Sequence, residues 1–172
     1  MTRMKQILIF GLLTLTFCAR GQVSTEKVNK LATSKYAGTY SFGKDIEKER
    51  IGTISIYPET DSTILFNIDL NRGAPSYNMG SLYGRVRITN GDGTFHSKVD
   101  HSDKGCKWTF KFSKNTLIIK TVEGQDECGF GAFVFADGEF KQISNKTSDY
   151  FENVEGTKVY FKITKPEDYY KY

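Results

Sequence analysis

His96, Asp100, His101 and Asp103 form a polar cluster with metal-binding chemistry. Two imidazoles and a carboxylate could hold zinc or copper. On an extended strand, however, His96 and Asp100 share one face and His101 takes the other. That spacing fits a solvated loop after an edge strand, and no metal site is expected. Cys106 and Cys128 are the cysteines that remain once Cys18 is assigned to an amino-terminal leader. A thiol pair can bind metal or supply a nucleophile, but a metal site needs further ligands at close spacing. An even pair in an exported chain reads instead as a disulfide. Arg85 and Arg87 share a strand face and could clamp an anion; alternation with Val86 and Ile88 predicts that both point to solvent. Neither a Gly-x-Ser-x-Gly elbow nor a His-Glu-x-x-His helix is present. Gly124–Gly131, with Asp126 and Glu127, is glycine-rich but lacks the phosphate-cradling spacing. No catalytic residue, no cofactor and no enzymatic activity are expected.

The residues best suited to recognition lie in two segments. Asn71–Asn78 carries Arg72, Pro75 and Tyr77 among small residues, and Phe130 sits two positions beyond Cys128. Arginine and tyrosine are enriched among binding hot spots, and a disulfide at Cys128 would present Phe130 from a stiff base. Arg72, Tyr77 and Phe130 are therefore the candidate binding residues. They form one composite patch if both loops lie at the same end of the fold.

The elements that must position them follow a period of two. Tyr36–Phe42 reads as a first strand. Ile54 and Ile56 alternate with Thr53 and Ser55, and Ile64, Phe66, Ile68 and Leu70 with Thr63, Leu65, Asn67 and Asp69, as in a half-buried strand. Leu82, Gly84, Val86 and Ile88 alternate with Tyr83, Arg85 and Arg87 before a turn at Asn90–Gly93. Cys106, Trp108, Phe110 and Phe112 share a face, and Leu117 and Ile119 return after Ser113–Asn115. Ala132–Phe135 and Glu139–Gln142 read as a further hairpin, and Val159, Phe161 and Ile163 as a last strand. Eight to ten short strands without long helices between them predict an all-β domain over residues 36–165. The expected form is an antiparallel barrel or barrel-like sandwich, up-and-down rather than Greek key. Residues 22–35 read as a leader or short helix, and 166–172 as a tyrosine-rich tail.

The chain has 172 residues, of which 26% are charged and 14% aromatic, with a formal charge of +4. Arg3 and Lys5 precede an apolar run from Ile7 to Phe17, which is shorter than the roughly 20 residues of a membrane-spanning helix. With Ala19 and Gly21 small, residues 1–21 read as a secretory signal cleaved before Gln22. Leu15-Thr16-Phe17-Cys18 offers a lipidated Cys18 as the alternative, against which stands the bulky Phe17. Cleavage removes three of the 24 basic residues and none of the 20 acidic ones, leaving a nearly neutral mature chain. Without a basic block, no nucleic-acid partner is expected. Nor is an integral membrane span expected, and a monomer, periplasmic or secreted, is.

The run Cys106-Lys107-Trp108-Thr109-Phe110-Lys111-Phe112, then Leu117, Ile119, Cys128-Gly129-Phe130-Gly131 and Asp137-Gly138-Glu139-Phe140, resembles small exported bacterial β proteins, some of them lysozyme-inhibitor-like. The resemblance implies a disulfide-bearing β architecture more than an activity. Tyr36-Ala37-Gly38-Thr39-Tyr40 is similar, more weakly, to the opening of lipocalins, with tyrosine in place of tryptophan. The expected function is accordingly that of an exported binding protein, an inhibitor of a hydrolase or an envelope interaction module, acting through barrel-end loops. The alternative is a carrier of a small apolar ligand.

Overall fold

The computed structural model describes residues 30–97 and 105–170. The proposed signal segment with Cys18, and Asp100, His101 and Asp103, lie outside the described residues. Eight antiparallel strands close into a barrel in chain order: β1 (Gly38–Phe42), β2 (Ile51–Pro58), β3 (Thr63–Asn71), β4 (Met79–Thr89), β5 (Asp92–Ser97), β6 (Cys106–Ser113), β7 (Thr116–Glu123) and β8 (Gly138–Ser144). β8 returns to pair with β1, for example Ser41 with Lys141. A separate hairpin, β9 (Tyr150–Glu152) and β10 (Lys158–Tyr160), and a one-turn helix α1 (Pro166–Tyr169) complete the chain. The up-and-down order follows from tight turns. Between β4 and β5, Asn90 (φ 53°) and Gly91 (φ 92°) both take left-handed backbone, the pairing that a two-residue hairpin of the primed type requires.

The alternation sorts side chains into an interior. Ile54, Ile56, Phe66, Ile68, Trp108, Phe110, Leu117, Ile119 and Phe140 are all at most 1% exposed. Phe66 is central, with ring centroids 5.0 Å from Phe95 and 5.1 Å from Phe110. Gly84, the inward position of β4 opposite Phe66, makes this possible: a Cβ there would fall 2.6 Å from the Phe66 ring and 2.7 Å from that of Phe95. Each such large apolar side chain contributes roughly 1.5–3 kcal/mol by leaving water. At the end bearing the β2–β3 and β4–β5 turns, a 3-10 turn (Ala32–Tyr36) covers the opening. Ala32 N donates to Asp61 Oδ1 at 2.8 Å, Thr33 Oγ1 donates to Thr60 O at 2.5 Å, and the Tyr36 ring lies 4.6 Å from that of Phe112. The expected amino-terminal leader or helix is thus, over its described part, this single turn.

The carboxy-terminal segment departs from the sequence reading. Val159 lies in the β9–β10 hairpin rather than in the barrel, Phe161 follows it, and Ile163 is exposed. Phe151, Val159 and Phe161 pack with Tyr169 onto the outer faces of Tyr57, Leu65 and Tyr83, forming a second apolar cluster. The Phe161 ring stacks on Tyr57 at 5.2 Å with an interplanar angle of 12°. β3 is therefore buried on both faces, not half-buried, because a strap covers its outer side. Arg85 is not free in solvent either. Its Nε and Nη2 donate to Glu59 at 2.6 and 2.9 Å, its Nη1 pairs with Glu167, and Lys165 Nζ reaches Glu59 at 3.0 Å. The two cations hold the Glu59 carboxyl below its ordinary range against the opposing effect of burial. Ala132–Phe135 forms no strand; β8 instead pairs with β7 and β1.

Candidate functional site

Three connections gather at the end of the barrel opposite the 3-10 turn: residues 43–50, 72–78 and 124–137. The middle one is built by its own backbone. Asn71 Oδ1 accepts from Gly73 N at 2.8 Å, Tyr77 N donates to Gly73 O at 2.9 Å, and Arg72 N donates to Asn78 O at 2.9 Å. Gly73 has φ 81°, and a Cβ there would meet Glu49 O at 2.5 Å and Ile46 O at 2.7 Å, so the first connection can press against it only because it is glycine.

Hydrogen bonds then tie the three together. Ala74 N donates to Ile46 O at 3.0 Å, and Tyr77 Oη donates to Glu47 Oε2 at 2.5 Å. That acceptor holds the Tyr77 phenol above its ordinary range. Gly131 N donates to Met79 O at 2.9 Å, and Asn78 Nδ2 donates to Ala132 O at 2.9 Å. The Arg72 guanidinium lies 4.7 Å from the centre of the Phe133 ring, within cation–π range. The Cys106–Cys128 disulfide, with Cα atoms 5.0 Å apart, fastens the third connection to the start of β6.

The candidate residues therefore meet at one end, but not in one role. Tyr77 is 41% exposed. Phe130 is half-buried: its ring lies 5.9 Å from that of Trp108 and covers Gly80, where a Cβ would fall 2.5 Å from the ring. Phe130 closes the barrel mouth more than it faces solvent. Arg72 is half-buried, its guanidinium over the Phe133 ring and its Nη1 3.4 Å from Ser76 Oγ. Two large apolar residues that the sequence reading passes over complete the surface, Met79 at 61% and Phe133 at 65% exposure. Phe133 was hidden by the alternation that suggested a strand, and Met79 by its place at a strand start. A cleft of about 390 Å³ opens between Gln125, Phe130 and Phe133.

Tyr77 (φ 51°) and Phe133 (φ 63°) both take left-handed backbone. For bulky side chains this is an outlier costing roughly 1–3 kcal/mol each, of the kind that gathers where a surface is used. His96 is exposed on the outer face of β5, and among the described residues no group of three or more His, Cys, Asp or Glu side chains could hold a metal. No helix among the described residues is long and apolar enough to cross a membrane. The geometry defines a closed eight-stranded antiparallel barrel with a disulfide at its loop-bearing rim. The chain matches no protein-family model, no curated protein and no solved structure.

Proposed function

We propose that the protein is an exported, non-enzymatic binding protein that engages a protein partner through the loop-bearing end of the barrel. A hydrolase that it inhibits is the partner class suggested by the resemblance of the Cys106–Phe140 region. In this reading residues 1–21 direct export and are removed before Gln22, with lipid attachment at Cys18 as the alternative processing. One observation carries the proposal: at one end of the barrel Tyr77 and Phe133 are exposed on connections fixed to one another by hydrogen bonds and a disulfide, and Met79 is exposed at the strand start that these connections bond to. Rigid exposed aromatics lose little entropy on binding, which is the character of interface anchors.

The test is site-specific photocrosslinking in the exporting cell, with a benzophenone amino acid at position 77 or 133 and, as control, at Lys114 on the opposite end. A discrete protein adduct from positions 77 and 133 and none from 114 is the expected result. Equal labelling from all three, or none from any, rejects the proposal.

A carrier reading is favoured by a different observation. Trp108 Nε1 is buried with no hydrogen-bond partner among the described residues, so a ligand offering an acceptor would find a donor inside the barrel. Against it, the rings of Phe66, Phe95, Trp108 and Phe110 fill the space that a carrier leaves open. The chain has a single tryptophan, so quenching of its fluorescence by fatty acids or retinoids would report occupancy; none is expected.

A further inference from the structure

Phe133 borders two hollows. On one it meets Arg72, whose guanidinium lies 4.7 Å from the ring centre. The other is the cleft of about 390 Å³, which Arg72 does not line. Phe130 and Phe133 supply aromatic walls there, and Gln125 and Asp126 supply polar side chains. Among the described residues that line the cleft, Asp126 alone is ionisable. It is exposed, and among the described residues it makes no hydrogen bond and no ion pair. Aromatic faces attract cations, and here they stand beside an unclaimed carboxylate.

The walls are set before anything enters. The Phe130 ring lies 5.9 Å from that of Trp108, and Arg72 backs Phe133. Between the two rings, Gly131 N donates to Met79 O at 2.9 Å and Val134 N to Gly131 O at 3.1 Å. On the Asp126 side, Glu127 N donates to Gly124 O at 2.9 Å, and Cys128 is fastened to Cys106. A cleft held in this way needs little ordering when it is filled. Its volume is at the small end of ligand sites, roughly 300–1,000 Å³, and suits one long side chain. The charge around it has the same sign as Asp126. Residues 43–50, 72–78 and 124–137 hold six carboxylates and four cations. Two of those cations face groups of the chain itself: Arg72 lies over Phe133, and Arg50 donates to Asp137 O and lies 5.1 Å from the centre of the Phe42 ring.

We propose that this cleft seats an arginine side chain of the protein partner, its guanidinium over Phe133 and its N–H groups on the Asp126 carboxylate. The inference rests on the protein-partner reading above and gives that partner a basic contact surface. Arginine rather than lysine follows from shape: a planar, weakly hydrated guanidinium stacks on a ring and pairs with a carboxylate at the same time. Arg72 makes the first of these contacts with the same ring.

The first experiment uses the full chain with para-fluorophenylalanine at position 133, followed by fluorine NMR at constant ionic strength. The probes are N-acetylarginine methylamide and its uncharged citrulline counterpart. The arginine probe should give a saturable shift with half-saturation near about 50 mM, the scale of one exposed cation–π contact and one exposed ion pair. Asp126→Asn should raise that concentration about fivefold, Glu139→Gln on the barrel wall should leave it unchanged, and citrulline should give no saturable shift. An equal response to citrulline, a titration unaltered in Asp126→Asn, or no saturation by about 200 mM overturns the site. Saturation by chitotriose at lower concentration than by the arginine probe makes the rings a sugar platform and overturns it too. The second experiment repeats the crosslinking from position 77 in Asp126→Lys, where the protein adduct should fall at least tenfold. An adduct of undiminished strength overturns the arginine seat while the partner reading stands. No adduct in either chain, with the titration as expected, rejects the partner reading and supports the cleft as a guanidinium site.

Discussion

Reducing the Cys106–Cys128 disulfide should weaken the whole domain by an amount fixed by the chain rather than by contacts. The bond closes a loop with a sequence separation of 22. For that length the loss of denatured-chain entropy gives about 11 cal/mol/K, or about 3.4 kcal/mol at 25 °C. Reduction leaves both sulfur atoms in place, Cys106 fully buried and Cys128 nearly so, so no cavity adds to the effect. With a urea m-value of about 2 kcal/mol/M, the unfolding midpoint of the reduced chain should lie about 1.7 M below that of the oxidised chain, with m equal or somewhat larger because the released denatured chain exposes more surface. The measurement is paired urea titrations, with and without a phosphine reductant, followed by the fluorescence of Trp108. A second readout localises the effect: amides of Gly131 and Val134, which donate to Met79 O and Gly131 O, should lose more protection than those of β2 and β3. A midpoint shift under about 0.5 M at constant m would refute the entropic account. Equal loss of protection everywhere would refute the assignment of the bond as the tether of residues 124–137.

Glu59→Gln should cost about 2 kcal/mol near neutral pH, the scale of hydrogen bonds to a charged group. Because the folded pKa lies below the unfolded one, this contribution is present above about pH 4.3 and fades as pH falls through the folded value; melts from pH 7 to pH 3 should show wild type and variant converging, and a constant gap would contradict the cause given. Gly80→Ala places a Cβ 2.5 Å from the Phe130 ring and should cost about 1–3 kcal/mol. It should also shift Trp108 emission as Phe130 moves aside, and an unchanged spectrum would deny that Phe130 caps the barrel mouth. Phe161→Ala should remove about 3–5 kcal/mol from the strap, so that hydrogen exchange accelerates at Phe151 and Val159 but not at Ile54 or Phe66; uniform acceleration would show that strap and barrel unfold as one.

The barrel was legible because its strands bury one face, and one buried face writes a period of two. Ile54, Phe66, Trp108, Phe110 and Leu117 all point where their parity says. The strap was misread because Val159 and Phe161 carry the same parity signal as a barrel strand, while pairing is decided by partners that a local pattern does not name. A clue was present in β3 and β4: Leu65 breaks the parity of Ile64 and Phe66, and Tyr83 that of Leu82. Apolar residues on both parities mark a strand covered on both faces. Arg85 could not be placed from sequence, since Glu59 and Glu167 reach it from 26 and 82 residues away. Of the candidate site, Tyr77 was found through the chemistry of its loop. Phe133 was not, because its alternation with Val134 reads as a strand and its left-handed backbone leaves no mark in composition.

The pairing of β1 with β8 sets the order in which this chain can fold. Every other barrel contact joins neighbours in sequence and can form as a hairpin, whereas Thr39 must find Ser144. For a loop of about a hundred residues the closure entropy is near 4 kcal/mol, against about 2 kcal/mol for a ten-residue hairpin. Hairpins therefore form first and the ring closes last, so closure is the step that bears the loop-entropy cost. Until β8 arrives, the β1 and β7 edges are both open and able to pair with another chain. A chain halted between Glu123 and Gly138 should then aggregate rather than persist as a partial barrel. The stretch that completes the cylinder is also the one that keeps the immature chain from its neighbours.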